Sequence, residues 1–381
     1  MPDIGSKQHQ QLSSSSSLLM TFTLNFGIVG LGGISETFAR DLLTNPLDRG
    51  VSDVNHKLVA AGSSSDKKAR DFLERVGASS ATAYSSYEGV YNDPNVTVVY
   101  IGTPHSHHYH NARDALHAGK HVLVEKPAVI TADQMRALAQ LAQQKHLTLM
   151  EAKWTRFFPM LKEIENKVHS GVIGDVKQVH ADFGQTFTGV SSDHRIFNLN
   201  LGGGSIMDLM PYPLIWVFSV LFYHPANKLC KPSVRGATCI KNQYGVDEMT
   251  TALLKFPGID ADAVLSSNIN VGSISTLVVR GTHGELVVND LPLSRPLSYE
   301  IRLRDTTNPN PDDQQRKTTT YHHPIPHHGM HWEADEMARL IAAGESQSQR
   351  VPWDDSVLSA ELLDDIRSQA GIKFPAAIES V

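Results

Sequence analysis

The sequence of 381 residues has few cysteines, no excess of basic residues and no long apolar segment. Its two cysteines are too few for a disulfide framework in a chain of this size, so we expect a reducing, cytoplasmic compartment. The formal net charge of -6 and the pI of about 6.3 provide no basic field for nucleic acid or acidic membranes. The longest apolar run, Leu214 to Phe222, is well below the ~20 residues that span a bilayer. We therefore expect neither a nucleic-acid partner nor a membrane partner.

The first 21 residues are polar and contain the serine run from Ser13 to Ser17. Only Leu18, Leu19 and Met20 are apolar before polar residues return, which is too short for a secretory apolar region. We expect residues 1–21 to be a disordered tail, and Met20 could equally be the working start. At about 150 residues per domain, the whole chain indicates two domains, or three.

A glycine-rich turn follows the first apolar strand, in the stretch Phe26-Gly27-Ile28-Val29-Gly30-Leu31-Gly32-Gly33-Ile34-Ser35. The strand ends at Gly30 and a periodic apolar stretch begins at Ile34, which indicates a turn from strand to helix. Gly30 permits the tight turn, Gly32 lets the backbone approach a phosphate, and the helix N-terminus offers free N–H groups. Ser35 stands where this fingerprint has Gly or Ala, and it is small enough to pack against the strand. Such a turn is often only a strand–helix connection, so by itself it leaves cofactor binding open.

Further short apolar strands alternate with helices up to residue 149. The strands are predicted at Lys57 to Gly62, Val96 to Gly102, His121 to Val124 and Leu147 to Met150, and the helices at His107 to Ala118 and Ala132 to His146. This alternation predicts a doubly wound parallel sheet with right-handed crossovers, a Rossmann-type domain over residues 22–149. Ligands bind at the carboxyl edge of such sheets. The predicted cofactor-binding residues at that edge are Gly30, Leu31, Gly32, Gly33, Ile34, Ser63, Ser64, Lys68, Thr103, Pro104, His105, Glu125 and Lys126.

The end of the second strand favours NADP over NAD as the cofactor. NAD-binding proteins usually place Asp or Glu there to hold the ribose hydroxyls. This sequence has Ser63, Ser64 and Ser65, with Lys67, Lys68 and Arg70 behind them. Such a set suits a 2'-phosphate, although it could also be the solvated start of a helix.

From Val176 the pattern changes to an alternation of two residues. It predicts strands at Val176 to Phe183, Met249 to Phe256, Ala261 to Val271, Ser275 to Arg280 and Glu285 to Asn289. Residues 150–381 are thus predicted to form an α+β domain with a large, mostly antiparallel, open sheet, and helices at Glu333 to Ala343 and Ser356 to Gln369 close the chain. Thr306 to Thr320 is predicted to be a surface loop. Because one sheet face lacks helices to cover it, we expect a homodimer through this sheet.

Three groups of residues resemble the Gfo/Idh/MocA oxidoreductase family. They are Glu125-Lys126-Pro127 after a strand, Gly202-Gly203-Gly204 followed by Asp208 and Tyr212, and Met150 to Phe157. Within the family, the Trp-Thr-Arg-Phe string and Leu363 to Gln369 resemble the branch that holds dimeric dihydrodiol dehydrogenase and the fungal NADP-dependent D-xylose 1-dehydrogenases. The resemblance covers roughly residues 24 to 375.

The resemblance implies a catalytic set of Lys126, Tyr212 and Asp208. Lys126 would lie beside the nicotinamide, and Tyr212 would exchange the substrate proton. A lysine cation within about 5 Å would favour the phenolate and lower the tyrosine pKa. Asp208, four residues before Tyr212, would share one helix face with it and orient a sugar. However, Met210 replaces the family's usual Gly, and Pro211 and Pro213 predict a helix that kinks or starts late.

Four further residues are candidates for contact with the substrate. Trp154 and Arg156 match active-site wall positions of the family, although a packed hinge between domains explains them equally well. Phe183 and Arg195 are weaker candidates, for which a structural role is favoured. His105 lies near the nicotinamide loop by family position, and a cofactor-side hydrogen bond is open to it.

We expect no metal site, although histidines crowd two segments: His105, His107, His108 and His110, and then His322, His323, His327, His328 and His331. Only His327 and His331 have helical i,i+4 spacing, and no acid completes a zincin-type motif. Solvated or hydrogen-bonded loop histidines explain this pattern better than ligands do.

The resemblance predicts an NADP-dependent dehydrogenase that oxidises the anomeric hydroxyl of an aldopyranose, with D-xylose as the favoured substrate and a lactone as the product. The alternatives are oxidation of trans-dihydrodiols of arenes and a non-catalytic dinucleotide-binding sensor of the same fold. The presence of Lys126, Asp208 and Tyr212 together argues against the sensor.

Overall fold

A computed structural model of the protein describes residues 21–273, 277–290, 292–305 and 316–381. Its first part is a six-stranded, wholly parallel sheet in the order β3-β2-β1-β4-β5-β6. The strands are β1 (Phe22–Val29), β2 (Val54–Gly62), β3 (Thr82–Tyr84), β4 (Val98–Ile101), β5 (His121–Glu125) and β6 (Leu149–Ala152). The predicted doubly wound sheet is therefore confirmed, with the short strand β3 added at one edge. β6 extends to Ala152, three residues beyond the predicted end of this domain at residue 149.

Five helices connect these strands: α1 (Gly33–Leu42), α2 (Asp66–Arg75), α3 (Tyr87–Asn92), α4 (His105–His117) and α5 (Ala132–Lys145). The four central strands read as apolar runs because helices cover both sheet faces and bury their side chains. On one face, the rings of Phe38 and Tyr100 stack with centroids 3.8 Å apart, which joins α1 to β4. The tail at residues 1–20 lies outside the described residues.

The second part is an eight-stranded mixed sheet in the order β14-β13-β12-β11-β7-β10-β9-β8. Its strands are β7 (Val176–Gly184), β8 (Ser233–Lys241), β9 (Asp247–Phe256), β10 (Ala261–Asn268), β11 (Leu277–Gly281), β12 (Gly284–Val288), β13 (Ser298–Arg304) and β14 (Arg316–His322). All neighbours pair antiparallel except β7 and β10, which are parallel. The predicted mostly antiparallel sheet is confirmed.

The predicted loop from Thr306 to Thr320 is wrong at its end. Residues 316–320 belong to β14, which pairs with β13 from Ser298↔His322 to Arg304↔Arg316. Residues 306–315 lie outside the described part of the chain. The threonine-rich sequence of β14 is polar on both faces, so periodicity could not reveal a strand at the sheet edge. Strand β8, at the opposite edge, was missed for the same reason, since most of its residues are half-exposed or exposed.

Six helices complete the described fold: α6 (Pro159–His169), α7 (Ser205–Asp208), α8 (Pro211–Val217), α9 (His331–Ala343), α10 (Trp353–Ala370) and α11 (Ala376–Glu379). α8 continues into a π-helical turn at Phe218–Phe222. The stretch Leu199–Phe222 is apolar and long enough to cross a membrane, but its most apolar window is entirely buried inside the fold. Helix α8 starts at Pro211, where a proline needs no hydrogen bond, so the predicted late start is confirmed.

Both cysteines are free thiols, with Cys230 exposed and Cys239 on the half-buried edge strand β8. The cytoplasmic location stays a prediction.

Candidate active site

A cleft of about 580 Å³ opens at the carboxyl edge of the parallel sheet, between that edge and residues of the second sheet and α7–α8. Its volume is in the range of small-molecule sites. Most of the predicted site residues line it: Gly30, Leu31, Gly32, Gly33, Ile34, Thr103, Pro104, His105, Glu125, Lys126, Phe183, Arg195, Asp208 and Tyr212. Residues far apart in sequence thus meet in one concave site.

The glycine turn is shaped by two close approaches. Gly30 has φ +79°, and a Cβ there would lie 2.5 Å from the Thr103 backbone nitrogen. The Ser35 hydroxyl donates a 2.5 Å hydrogen bond to the Gly30 carbonyl. A Cβ at Gly102 would come within 2.1 Å of that hydroxyl oxygen. Ser35 therefore packs close to the end of β1, as predicted, and it also packs tightly against Gly102 after β4.

The start of α1 fits a dinucleotide pyrophosphate. Its first residue is Gly33, and Gly32 before it provides no side-chain cap, so the first N–H groups are left for a ligand. A Cβ added at Gly32 or Gly33 would meet nothing within 4 Å, which means that the cleft is open beside the backbone. These features match what a phosphate needs at a helix N-terminus.

Three basic side chains surround the Asp208 carboxylate in the cleft. Its carboxylate Oδ1 lies 3.0 Å from Arg195 Nη2, 3.5 Å from His105 Nε2 and 3.9 Å from Lys126 Nζ. Burial acts to raise the pKa of Asp208, but Arg195, Lys126 and His105 outweigh it and hold the pKa well below its usual value. Asp208 is therefore a carboxylate at neutral pH.

Lys126 is held by the backbone as well as by charge. Its Nζ donates a 2.7 Å hydrogen bond to the Asp208 carbonyl and lies 4.7 Å from the centroid of the Tyr212 ring. Burial lowers the pKa of Lys126, and the charges of Asp208 and Glu125 oppose that effect. The Lys126 ammonium and the Tyr212 ring thus meet in the cleft, with the ammonium over the ring and not at the phenol oxygen.

The phenol oxygen of Tyr212 accepts a 3.1 Å hydrogen bond from Trp154 Nε1. Burial raises the pKa of Tyr212 well above its usual value, Glu125 adds to this effect, and the Trp154 hydrogen bond opposes it. The expected net lowering of this pKa is therefore wrong, because desolvation dominates.

Comparison with known proteins identifies the chain. Its residues 24–153 match the model of the oxidoreductase family with an NAD-binding Rossmann fold, GFO_IDH_MocA, and residues 161–287 match the C-terminal domain model of that family. The chain belongs to the Gfo/Idh/MocA oxidoreductase family. It is 39% identical to D-xylose 1-dehydrogenase (NADP(+)) of Hypocrea jecorina, over 94% of each chain. It is 32% identical to trans-1,2-dihydrobenzene-1,2-diol dehydrogenase of Danio rerio, over 92% of this chain and 98% of that protein.

Two solved enzyme structures share the fold. The 3-ketoreductase KijD10 of Actinomadura kijaniata, in complex with NADP and TDP-benzene, superposes with a TM-score of 0.75 at 22% identity, over 91% of this chain and 98% of that one. Levoglucosan dehydrogenase in complex with NADH superposes with a TM-score of 0.77 at 18% identity, over 92% and 97%.

Two of the residues that the family resemblance suggested lie outside the cleft. The Arg156 guanidinium is buried and donates to Glu165 at 3.0 Å, to Ser219 and to the Arg350 carbonyl. It therefore has a structural role, although these contacts lie within the second domain and not at the predicted hinge between domains. Trp154 does not line the cleft either, and instead contacts the hydroxyl of Tyr212.

The predicted shared helix face of Asp208 and Tyr212 is also wrong. Asp208 ends α7, while Tyr212 belongs to α8, which begins one residue earlier at Pro211. Leu209 and Met210 separate the two helices. Both side chains reach the same cleft because the chain bends between them, and Pro211 cannot continue the hydrogen bonding of α7.

Ser63, Ser64 and Lys68 do not line the cleft, although they follow β2 at the same sheet edge. Lys68 Nζ lies 3.4 Å from Ser64 Oγ, and both residues are exposed. The Ser63 N–H is already bonded to the Tyr84 carbonyl at 3.1 Å. Contact with a 2'-phosphate stays a prediction for these three residues.

The structure adds cleft residues that the sequence did not reveal: Tyr87, His108, Gln185, Phe187, His194 and Ser294. Gln185 to His194 follow β7 without a regular pattern, and proximity to Phe183 was their only signal. In the described part of the chain, no group of three His, Cys, Asp or Glu side chains could hold a metal ion. The clustered His105 and His108 are buried in α4 and face backbone carbonyls.

Proposed function

We propose that this protein is an NADP-dependent dehydrogenase that oxidises the anomeric hydroxyl of an aldopyranose, with D-xylose as the favoured substrate. The observation that carries the proposal is the meeting of Lys126, Asp208 and Tyr212 in the cleft that also contains the glycine turn. The 39% identity to a D-xylose 1-dehydrogenase that uses NADP supports both the cofactor and the sugar.

The cleft residues have separate tasks in this proposal. NADP, when bound, supplies a hydride acceptor for C1 of the sugar. The turn around Gly32 and the start of α1 hold the pyrophosphate. The ionised Asp208 accepts hydrogen bonds from sugar hydroxyls, and its three basic neighbours keep it charged.

Tyr212 accepts the proton of the anomeric hydroxyl. It can do so only as a phenolate, and burial keeps its phenol protonated at neutral pH. Tyr212 must therefore lose its proton to solvent in the cleft before oxidation, and the neighbouring Lys126 ammonium stabilises the negative charge that results.

The test is an absorbance assay of nicotinamide reduction with purified protein, NADP and a panel that contains D-xylose, other aldopyranoses and a trans-dihydrodiol. We expect turnover with D-xylose and a lower rate with NAD. Tyr212→Phe should abolish turnover and leave NADP binding, measured by fluorescence quenching, unchanged. Tyr244→Phe, at a tyrosine that is 41% exposed, is the matched control and should retain full activity. Absence of turnover with every aldose would contradict the sugar substrate.

Oxidation of trans-dihydrodiols is the second candidate. It is supported by relatives of this name at 30–32% identity, which are matched over 92% of this chain. Both substrate classes present vicinal hydroxyls to Asp208. The ratio of kcat/KM for the two substrates in the same panel decides between them.

We also propose a homodimer through the outer face of the eight-stranded sheet. Apolar side chains that are half-buried or exposed lie in register across this face, from Val278 and then, beyond His180, through Val264 to Leu253. Leu253 is 40% exposed in the single chain. Light scattering after gel filtration should give twice the chain mass, and Leu253→Glu should give a monomer. A wild-type mass equal to one chain would contradict the dimer.

A further inference from the structure

Trp154 contacts the oxygen atom on which the proposed reaction depends. Its indole Nε1 donates a 3.1 Å hydrogen bond to the Tyr212 hydroxyl oxygen. Lys126, by contrast, faces the Tyr212 ring and uses its Nζ for the Asp208 carbonyl. The Trp154 indole thus donates a hydrogen bond to this oxygen, while the Lys126 ammonium acts on it through charge.

An indole N–H can donate a hydrogen bond but cannot accept one. It therefore occupies one side of the phenol oxygen and leaves the phenol proton to point elsewhere, and the open direction at Tyr212 is the cleft that it lines. A donor also stabilises a charged oxygen more than a neutral one. The contact therefore orients the proton and favours its loss.

The indole is held firmly enough to impose this direction. Trp154 is 2% exposed, and its ring stacks on the His328 ring with centroids 5.0 Å apart. It also packs edge-to-face with the Phe158 ring, with centroids 5.3 Å apart. The segment that carries His328 is bonded in turn to Asp41 of α1, through the N–H groups of His328 at 3.1 Å and Met330 at 2.8 Å. A donor fixed by its surroundings loses little freedom when the phenolate forms.

We propose that Trp154 is a positioning residue for Tyr212, and that its N–H directs the phenol proton into the cleft and stabilises the phenolate. This inference rests on the proposed function, in which Tyr212 is the base. It replaces the expected role of Trp154 as a wall of the substrate pocket.

The test compares Trp154→Phe with Trp353→Phe. Both changes remove an indole donor and keep an aromatic ring, but Trp353 Nε1 donates to the Leu149 carbonyl at 2.9 Å, away from Tyr212. Trp154→Phe should lower kcat/KM for oxidation by about ten- to hundredfold between pH 7 and 9, the value of a hydrogen bond to a charged acceptor. NADP affinity should be unchanged, and Trp353→Phe should keep kcat/KM within about twofold of wild type.

A measurement that needs no substrate separates this inference from the proposed function. Protein labelled with carbon-13 at tyrosine Cζ gives a resonance for Tyr212, assigned by its loss in Tyr212→Phe, that responds to hydrogen bonding at the phenol oxygen. Trp154→Phe should move this resonance, and Trp353→Phe should not. If turnover is absent but the resonance moves, the reaction is wrong and the contact stands. An unmoved resonance, or unchanged kcat/KM, overturns the proposal.

A second variant covers the case in which Trp154→Phe does not fold. His328→Ala keeps the indole N–H and the backbone bond to Asp41 but removes the stacking ring. It should lower kcat/KM in the same direction by a smaller factor. A gain in activity would contradict the positioning role.

Discussion

Asp247 is the clearest place to test how burial controls charge in this fold. This aspartate begins β9, is 0% exposed, and uses one carboxylate oxygen, Oδ2, to accept hydrogen bonds from Ser205 Oγ at 2.7 Å, the Ile206 N–H at 2.7 Å and Thr250 Oγ at 2.8 Å. Its other oxygen is buried without a partner in the described structure, against Gly204. Burial raises the pKa of Asp247 to about 6, and the three donors oppose that rise only in part.

The pKa shift predicts how Asp247 changes stability with pH. A carboxyl whose pKa is raised on folding stabilises the fold fully below its unfolded value near 3.8, and this contribution is lost as pH rises through about 6. At 1.36 kcal/mol per unit, a shift of about two units corresponds to ~3 kcal/mol. Asp247→Asn cannot ionise, and its amide oxygen can still accept from the three donors. Because pH 4 already lies above the unfolded pKa, the free energy of unfolding of wild type minus that of the variant should fall by about 2 kcal/mol between pH 4 and pH 7.

The assay is urea unfolding at intervals from pH 4 to pH 8, followed by tryptophan fluorescence, for wild type, Asp247→Asn and Asp193→Asn. Asp193 is exposed, and its substitution should leave the difference flat over the same range. Only the pH-dependent part of the difference in unfolding free energy tests the pKa shift, since altered hydrogen-bond strength in the variant adds the same amount at every pH. A wild-type-minus-Asp247→Asn difference that does not change with pH would refute the reasoning.

Three further predictions concern the cleft and its surroundings. Gly30→Ala should weaken NADP binding in fluorescence titrations and lower the free energy of unfolding by about 1–3 kcal/mol, because φ is +79° and the new Cβ would lie 2.5 Å from Thr103. Burial raises the pKa of Glu333 well above its usual value and both carboxylate oxygens lack a partner in the described structure, so Glu333→Gln should unfold at a higher temperature than wild type at pH 8, with a smaller difference at pH 5. Because burial raises the pKa of Tyr212, kcat/KM for oxidation should rise about tenfold per unit between pH 7 and pH 9, and a plateau there would contradict a protonated phenol.

Local sequence patterns predicted most of the fold. The central parallel strands are short apolar runs because helices bury both faces of the sheet. The glycine turn at Gly30 can likewise be recognised from adjacent residues alone. The edge strands β8 and β14 carry no such signal, since an edge position leaves their side chains partly in water. Their existence depends on partners that are distant in sequence.

The sequence predicted most of the residues that line the cleft, but not how they are arranged in it. Asp208 and Tyr212 reach one cleft as expected, but from two helices that meet at a proline. Arg156 has the chemistry of a ligand for polar substrates, and its contacts with Glu165, Ser219 and the Arg350 carbonyl show that its guanidinium is occupied elsewhere. The pKa of Tyr212 depends on burial among residues from several elements, which no spacing in the sequence encodes.

The hydrogen bond from Lys126 to the main chain at residue 208 allows the side chain at position 208 to change without loss of that bond. The ammonium is anchored by a carbonyl group that every amino acid possesses, at 2.7 Å, and its distance from the carboxylate is longer, at 3.9 Å. Replacement of the acid would alter what the pocket recognises while the lysine kept its place. Substrate preference and the position of the Lys126 ammonium are thereby separable, so that a new polar ligand could be accommodated by changing the side chain at position 208.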